Sequence, residues 1–274
     1  MEFEDEFWEG EPDAPEQRPD PAVVRAAEAI RAIFAAQPRG VLYVRQLEVM
    51  LEKEFFHWVT DFAIRDLTEV GYLASEYVSL PSGDSRLRFL FRPGHRFRKR
   101  QVKSAVELVK RYSEPVFAKA CGQYAQTLFL HALLKRGFNL KGENTRWHSG
   151  REWKETGHDL DFVVERDGIA YGCEVKNRLE YMSREKVGVK IRMCEFLGVK
   201  PVFIVRAAPK TYNFMVFEKG GYAWIYEAQI YPPGHEGLAE SVQTSLGLPV
   251  VCSYGIPSGM VDRFLKWHGR QVKR

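Results

Sequence analysis

The chain lacks several things. None of its 274 residues belongs to an apolar run approaching about 18 residues, so no transmembrane helix is expected. Its start is acidic, not basic and then apolar, so no signal peptide is expected. It is poor in cysteine: Cys121, Cys173, Cys194 and Cys252 are scattered and form no CxxC pair. That spacing argues against a disulfide framework or a zinc site, and for reduced thiols in a cytoplasmic protein. No GK[ST] follows the turn-like FEKGGY at 217–222, so that stretch is no phosphate loop. His148 and His158 lack metal-ligand spacing.

What is present is globular in balance, with 45% hydrophobic and 28% charged residues. The net charge of +4 conceals an asymmetry. Residues 1–21 hold nine acidic side chains against one basic, Arg18, for −8, which leaves +12 on the rest. This acidic, proline-broken segment reads as disordered. With Phe3, Phe7 and Trp8 among its acids, it is a solvating tail, a docking peptide for a protein partner, or a cover for a basic groove.

Residues 22–36 have helical apolar spacing, ended by Pro38-Arg39-Gly40. A short strand (VLYV) and a helix (RQLEVMLEKEF) follow. A third helix runs through TDFAIRDLTEVGYL, with Thr60 as N-cap and Gly71 as its stop. Two β-prone runs, YLASEYVSL and RLRFLFRP, flank a turn-rich loop at 81–85. Three helices and a hairpin over 22–93 resemble a winged helix-turn-helix domain. That resemblance implies a third helix facing a DNA groove, here offering His57, Thr60, Asp61, Arg65 and Asp66, and a wing touching the backbone through Arg86 and Arg88. A basic linker or helix spans 94–112, where Arg96, Arg98, Lys99 and Arg100 suit phosphate contacts or a solvated surface.

Residues 113–274 form the second predicted domain. Helix is expected over 104–136, with Ser113 as a cap and Glu114 in the first turn. The loop at 142–157 sets Trp147 and Trp153 among basic groups, suited to nucleotide stacking or to plain loop packing. The stretch GHDLDFVVERDGIAYGCEVKNR then reads as two alternating strands around Asp167-Gly168, a strong two-residue hairpin signal. In that register Arg166 opposes Ile169, Asp161 opposes Glu174 and Asp159 opposes Lys176. Opposed residues have Cβ atoms about 4.5–5.5 Å apart, and opposed like charges destabilise a sheet. A divalent cation such as Mg2+ removes that conflict. Ala170 and Gly172 on the same face leave room for a substrate backbone. A hydrated hairpin in which Lys176 pairs with Asp159 is the alternative.

Asp161 followed by Glu174-Val175-Lys176 resembles the D…ExK signature of the PD-(D/E)XK, or restriction-endonuclease-like, nuclease superfamily, in its resolvase-type wording. The resemblance covers about residues 113–260 and implies an α/β domain with a central mixed β-sheet flanked by helices. It further implies that Asp161 and Glu174 bind Mg2+ (Mn2+ substituting), with the Val175 carbonyl as another ligand. Lys176 would orient or activate the attacking water. The implied substrate is DNA, cut by a homodimer. Two departures stand out: Leu160 replaces the usual proline, and the first helix lacks the usual glutamate. Gln123, Gln126 and Glu114 are the polar candidates there, and Asp159 is a further auxiliary residue. Lys190, with Lys186 and Arg192, sits on the next helix as a phosphate contact or a solvated face. The C-terminal DRFLKWHGRQVKR is a phosphate clamp or a frayed end. A catalytically silent nuclease-fold assembly factor and a transcription regulator are the competing readings.

Overall fold

A computed structural model describes residues 20–80 and 86–273; the acidic tail to residue 19, the loop at 81–85 and Arg274 lie outside these. The first unit contains α1 (Pro21–Ala36), β1 (Val41–Tyr43), α2 (Val44–Leu51), α3 (His57–Glu69), β2 (Ala74–Ser79) and β3 (Arg86–Phe91). Helix α1 starts where Asp20 accepts the Ala22 N–H at 2.8 Å, with Pro21 supplying a pre-set φ at the first helical position. The strands form an antiparallel sheet in the order β1-β3-β2. Ile30, Phe34, Leu47, Ile64 and Leu67 fill the core beneath it. Helix α3 begins at His57, three residues before the expected cap. Thr60 is fully buried among Val59, Ala63 and Ile64, so it neither caps the helix nor faces outward.

Of the two readings of 94–112, linker or helix, the helix holds: α4 spans Arg98–Tyr112 and is structural. Its Val102, Ala105, Val106 and Val109 join Tyr43 and Phe89 of the first unit to Phe117, Tyr231 and Val242 of the second in one core. Helix α5 (Pro115–Leu134) follows, capped by Glu114 rather than Ser113. Glu114 accepts the Phe117 N–H at 2.8 Å.

The second unit continues with β4 (Asn139–Thr145), β5 (Trp147–His148), β6 (Arg151–Glu152), β7 (Leu160–Arg166), β8 (Ile169–Lys176) and α6 (Arg184–Leu197). Then come β9 (Lys200–Val205), α7 (Lys210–Glu218), β10 (Tyr222–Ile225), β11 (Gln229–Tyr231), α8 (Glu236–Leu246), β12 (Val250–Cys252) and α9 (Ser258–Val272). Five strands form a mixed sheet in the order β10-β9-β8-β7-β4. Strands β8, β9 and β10 run parallel; β7 is antiparallel to both β8 and β4. The chain is thus an α/β protein with a mixed sheet between helices. Strands β11 and β12 do not extend this sheet but pair with each other in parallel.

The two faces of β8 differ. Tyr171, Cys173 and Val175 pack on α5 and α9 through Phe129 and Phe264. The other face lies under α6, where Met193, Cys194 and Leu197 cover Leu160 and Val163. Leu160 therefore sits with Val163, not with Phe162 and Val164 as strict alternation predicts. The C-terminal helix is not frayed over its described length. His268, 2% exposed, bonds Tyr171 through Nδ1 at 2.7 Å and the Asp167 carboxylate through Nε2 at 3.0 Å. Among the described residues, no helix is long and apolar enough to cross a membrane.

Candidate active site

The hairpin forms in the register its turn dictates. Asp167 (φ 53°) and Gly168 (φ 74°) both take left-handed backbone angles, as a two-residue turn that matches strand twist requires. Pairing runs from Arg166 opposite Ile169 to Phe162 opposite Cys173. There the backbone ladder ends. One residue on, the Asp161 carboxylate accepts the Val175 N–H at 2.5 Å. Asp161 thus sits against β8 beside Glu174, held by a side-chain bond rather than by strand pairing. The expected opposition of Asp159 and Lys176 does not form. Asp159 precedes β7, and its carbonyl accepts the Lys190 ammonium, while Lys176 registers with Val205 of β9.

Lys190 does not lie on a solvated face. It is 6% exposed, and its ammonium lies 2.5 Å from the Glu174 carboxylate. The sequence carried a signal for this. Val187, Cys194 and Leu197 define the buried stripe of α6, and position 190 falls on that stripe three residues after Val187 and four before Cys194.

The electrostatics follow from crowding. Burial, and then the charge of Glu174, push Asp161 up to about 7, against the opposing pull of the Val175 N–H and Lys190. Burial also raises Glu174, offset in part by Lys190. Lys176 is shifted down, first by burial and then by Arg178. The site therefore gathers two carboxylates that resist ionising together, with one ammonium bonded to one of them.

The chain leaving β8 is held from several sides. Asn177, 2% exposed, donates to the carbonyls of Cys121 (2.8 Å) and Ile230 (2.6 Å) and accepts the Ile230 N–H at 2.7 Å. The Tyr226 hydroxyl lies 2.9 Å from the Lys176 carbonyl. Arg206, just past the end of β9, donates to both oxygens of Glu52 at 2.5 Å and to the Leu179 carbonyl at 2.8 Å. Tyr181 donates to Glu52 at 3.2 Å. The first unit thereby grips the segment that follows Lys176. Nothing local in the sequence marks Asn177 or Arg206 for these roles.

No family model, curated protein or solved structure matches the chain. The geometry alone therefore carries the functional argument.

Other expected residues divide. Glu114 is consumed as a helix cap. Gln123 is exposed on α5, which covers the face of β8 opposite Glu174, and Gln126 of the same helix is half-buried. Gly172 offers no room for a substrate. A Cβ there would lie 2.8 Å from Cys194 Sγ, 2.8 Å from Leu160 Cδ1 and 2.9 Å from Val199 Cγ2, so the glycine lets α6 close onto the sheet. Trp153 is buried at 3% under α6, whereas Trp147 is 53% exposed. Arg86, Arg96, Lys99 and Arg100 are exposed. Arg88 and Arg98 are partly engaged within the first unit: Arg88 donates to Thr68 at 3.1 Å, and Arg98 bridges to Glu76 at 3.3 Å.

The donor set suits a hard divalent cation. The buried Glu174 and the half-buried Asp161 offer oxygen donors of the kind such a cation takes, and burial followed by the charge of Glu174 raises the proton affinity of Asp161. Among the described residues, no group of three or more His, Cys, Asp or Glu gathers in a metal-binding arrangement.

Proposed function

We propose that the protein is a Mg2+-dependent DNA endonuclease of the PD-(D/E)XK type, with residues 22–93 acting as a winged-helix unit that positions DNA. One observation carries the reading: Asp161 is pinned by the Val175 N–H beside the buried Glu174, on the strand that ends in Lys176. A purely structural hairpin gains nothing from two acids that repel each other in a buried setting. Asp161 and Glu174, with the Val175 carbonyl, would hold Mg2+ or Mn2+. Bound there, the ion would supply Lewis-acid stabilisation of the charge on the phosphate. Lys176, half-buried at the same strand end, would orient the attacking water and offset developing negative charge. Exposed Arg86, Arg96, Lys99 and Arg100 support contact with a phosphate backbone. The order α1-β1-α2-α3-β2-β3 supports the winged-helix reading. A cytoplasmic homodimer that presents two sites to a duplex completes the proposal.

The test is incubation with Mg2+ or Mn2+ and a panel of supercoiled, linear, single-stranded and branched DNA. The wild-type protein should cut at least one of these, while Glu174→Gln and Lys176→Met should bind it without cutting. Undiminished cleavage by Lys176→Met would sink the mechanism. A second reading, a silent nuclease-fold DNA-binding or assembly factor, draws on the Lys190–Glu174 pair already closed in the site. Metal-independent binding with no cleavage of any substrate would select it.

A further inference from the structure

Lys190 is the one cation that forms an ion pair with the acid cluster among the described residues. Its carrier, α6, is locked in place. Cys194, one turn further along, lies over Gly172, and the helix ends at Gly198 in a left-handed cap. The lysine stem is different: it is long and flexible, and its ammonium is a compact point charge that no guanidinium fork holds in one orientation. The ammonium reaches two acceptors, Glu174 and the Asp159 carbonyl, both at the same end of the hairpin. A lysine here is costly to bury unless it is paired. It also blocks one oxygen of the carboxylate that the proposed function assigns to the metal.

We infer that Lys190 is a resident counter-cation, exclusive with the divalent ion at Glu174, and that it passes to a phosphodiester oxygen when that ion binds. This rests on Asp161 and Glu174 being the ligand pair. Two cations on one carboxylate repel, so Lys190 must leave Glu174 when a divalent ion arrives. The anion that then stabilises the displaced ammonium is the phosphate backbone of the substrate. Metal and nucleic acid therefore bind cooperatively, each tightening the other by the same factor. In this arrangement the free protein holds the ion weakly, and DNA tightens its hold.

The experiment titrates Mn2+ by electron paramagnetic resonance into the full chain carrying Lys176→Met, with and without a duplex oligodeoxynucleotide. Adding Lys190→Met should tighten Mn2+ binding to the free protein by about tenfold or more, since a unit positive charge leaves the site. It should also abolish the tightening that the duplex produces when Lys190 is present. Lys190→Arg, which keeps the charge, should bind Mn2+ as weakly as Lys190 does. If Lys190→Met leaves Mn2+ affinity unchanged while Glu174→Gln weakens it, the inference fails and the ligand assignment survives. If Glu174→Gln has no effect on Mn2+ binding, the ligand assignment itself fails. A measurement on the unmutated chain guards against misfolding of the variant. Acylation of Lys190, read by mass spectrometry, should be slow in the free protein and several-fold faster with Mg2+ raised to saturate the site; equal rates at saturation would overturn the inference.

Discussion

Two buried ion pairs, Glu52–Arg206 and Glu174–Lys190, occupy the same protein and solve opposite problems. Arg206 is 1% exposed, and its planar fork meets both oxygens of Glu52 and the Leu179 carbonyl. Tyr181 adds a further bond to the same carboxylate. Among the described residues no second acid pairs with Arg206, and the charges are matched one to one. Around Lys190 the count is unequal: one ammonium faces Glu174, while Asp161 stands beside it, pushed up to about 7 by burial and by Glu174. A saturated pair holds structure in place; an unsaturated one leaves charge available for a ligand. Geometry and hydrogen-bond saturation, rather than burial, separate the two.

The largest break is on the saturated side. Arg206→Met leaves the half-buried Glu52 carboxylate without its partner and should cost about 3 kcal/mol, read from urea unfolding. A loss below about 1 kcal/mol would show that the clasp contributes nothing to stability. Next comes a break of the second pair from beneath. Gly172→Ala drives a Cβ to within 2.8 Å of Cys194 Sγ and Leu160 Cδ1 and so lifts α6, the carrier of Lys190. It should cost about 1–3 kcal/mol and, by drawing Lys190 away from Glu174, tighten Mn2+ binding to the free protein, whereas Gly237→Ala, with open space around it, should do neither.

A third prediction uses pH. Folded Asp161 holds its proton up to about 7, whereas an unfolded aspartate releases it near pH 3.9. Between those values the native state binds more protons, so metal-free stability falls as pH rises and levels off above about 7. Asp161→Asn should flatten that slope and raise stability at pH 8 by about 1 kcal/mol, because removing an acid crowded against Glu174 relieves its strain. Thermal unfolding at pH 5 and pH 8 reads the difference, and an identical slope in both proteins would refute the uncompensated-charge account. The smallest effect is Tyr181→Phe. It removes a single bond to a carboxylate already held twice and should cost about 0.5–1 kcal/mol.

The same contrast explains what could be read in the chain beforehand. The Asp167-Gly168 turn fixed the register of β7 on β8, because a two-residue loop leaves only one pairing, and the ladder from Arg166 to Phe162 follows it. Where the ladder stops, the register no longer determines contacts. Asp161 turns its carboxylate to the Val175 amide, Asp159 falls outside the strand, and Leu160 crosses to the α6 face. Lys190 was legible in principle, since the apolar stripe of α6 points it inward, but its charge argued for the surface. Arg206 and Asn177 could not be read, because their partners lie 154 residues away at Glu52 and 53 away at Ile230. Gly172 looked like space and proved to be a contact, since an absent side chain is either a vacancy or the seat of a neighbour.

The shared core around α4 has a consequence for how the chain can change. Val102, Val106 and Val109 pack at once against Tyr43 and Phe89 on one side and Phe117, Leu238 and Val242 on the other. Transplanting residues 20–97 onto another scaffold would strip that helix of half its cover and leave an apolar seam facing water. The unit that would select a target and the sheet that would act on it are therefore not interchangeable cassettes, and any viable recombinant must carry α4, with a partner surface equivalent to α8, as part of the exchanged block.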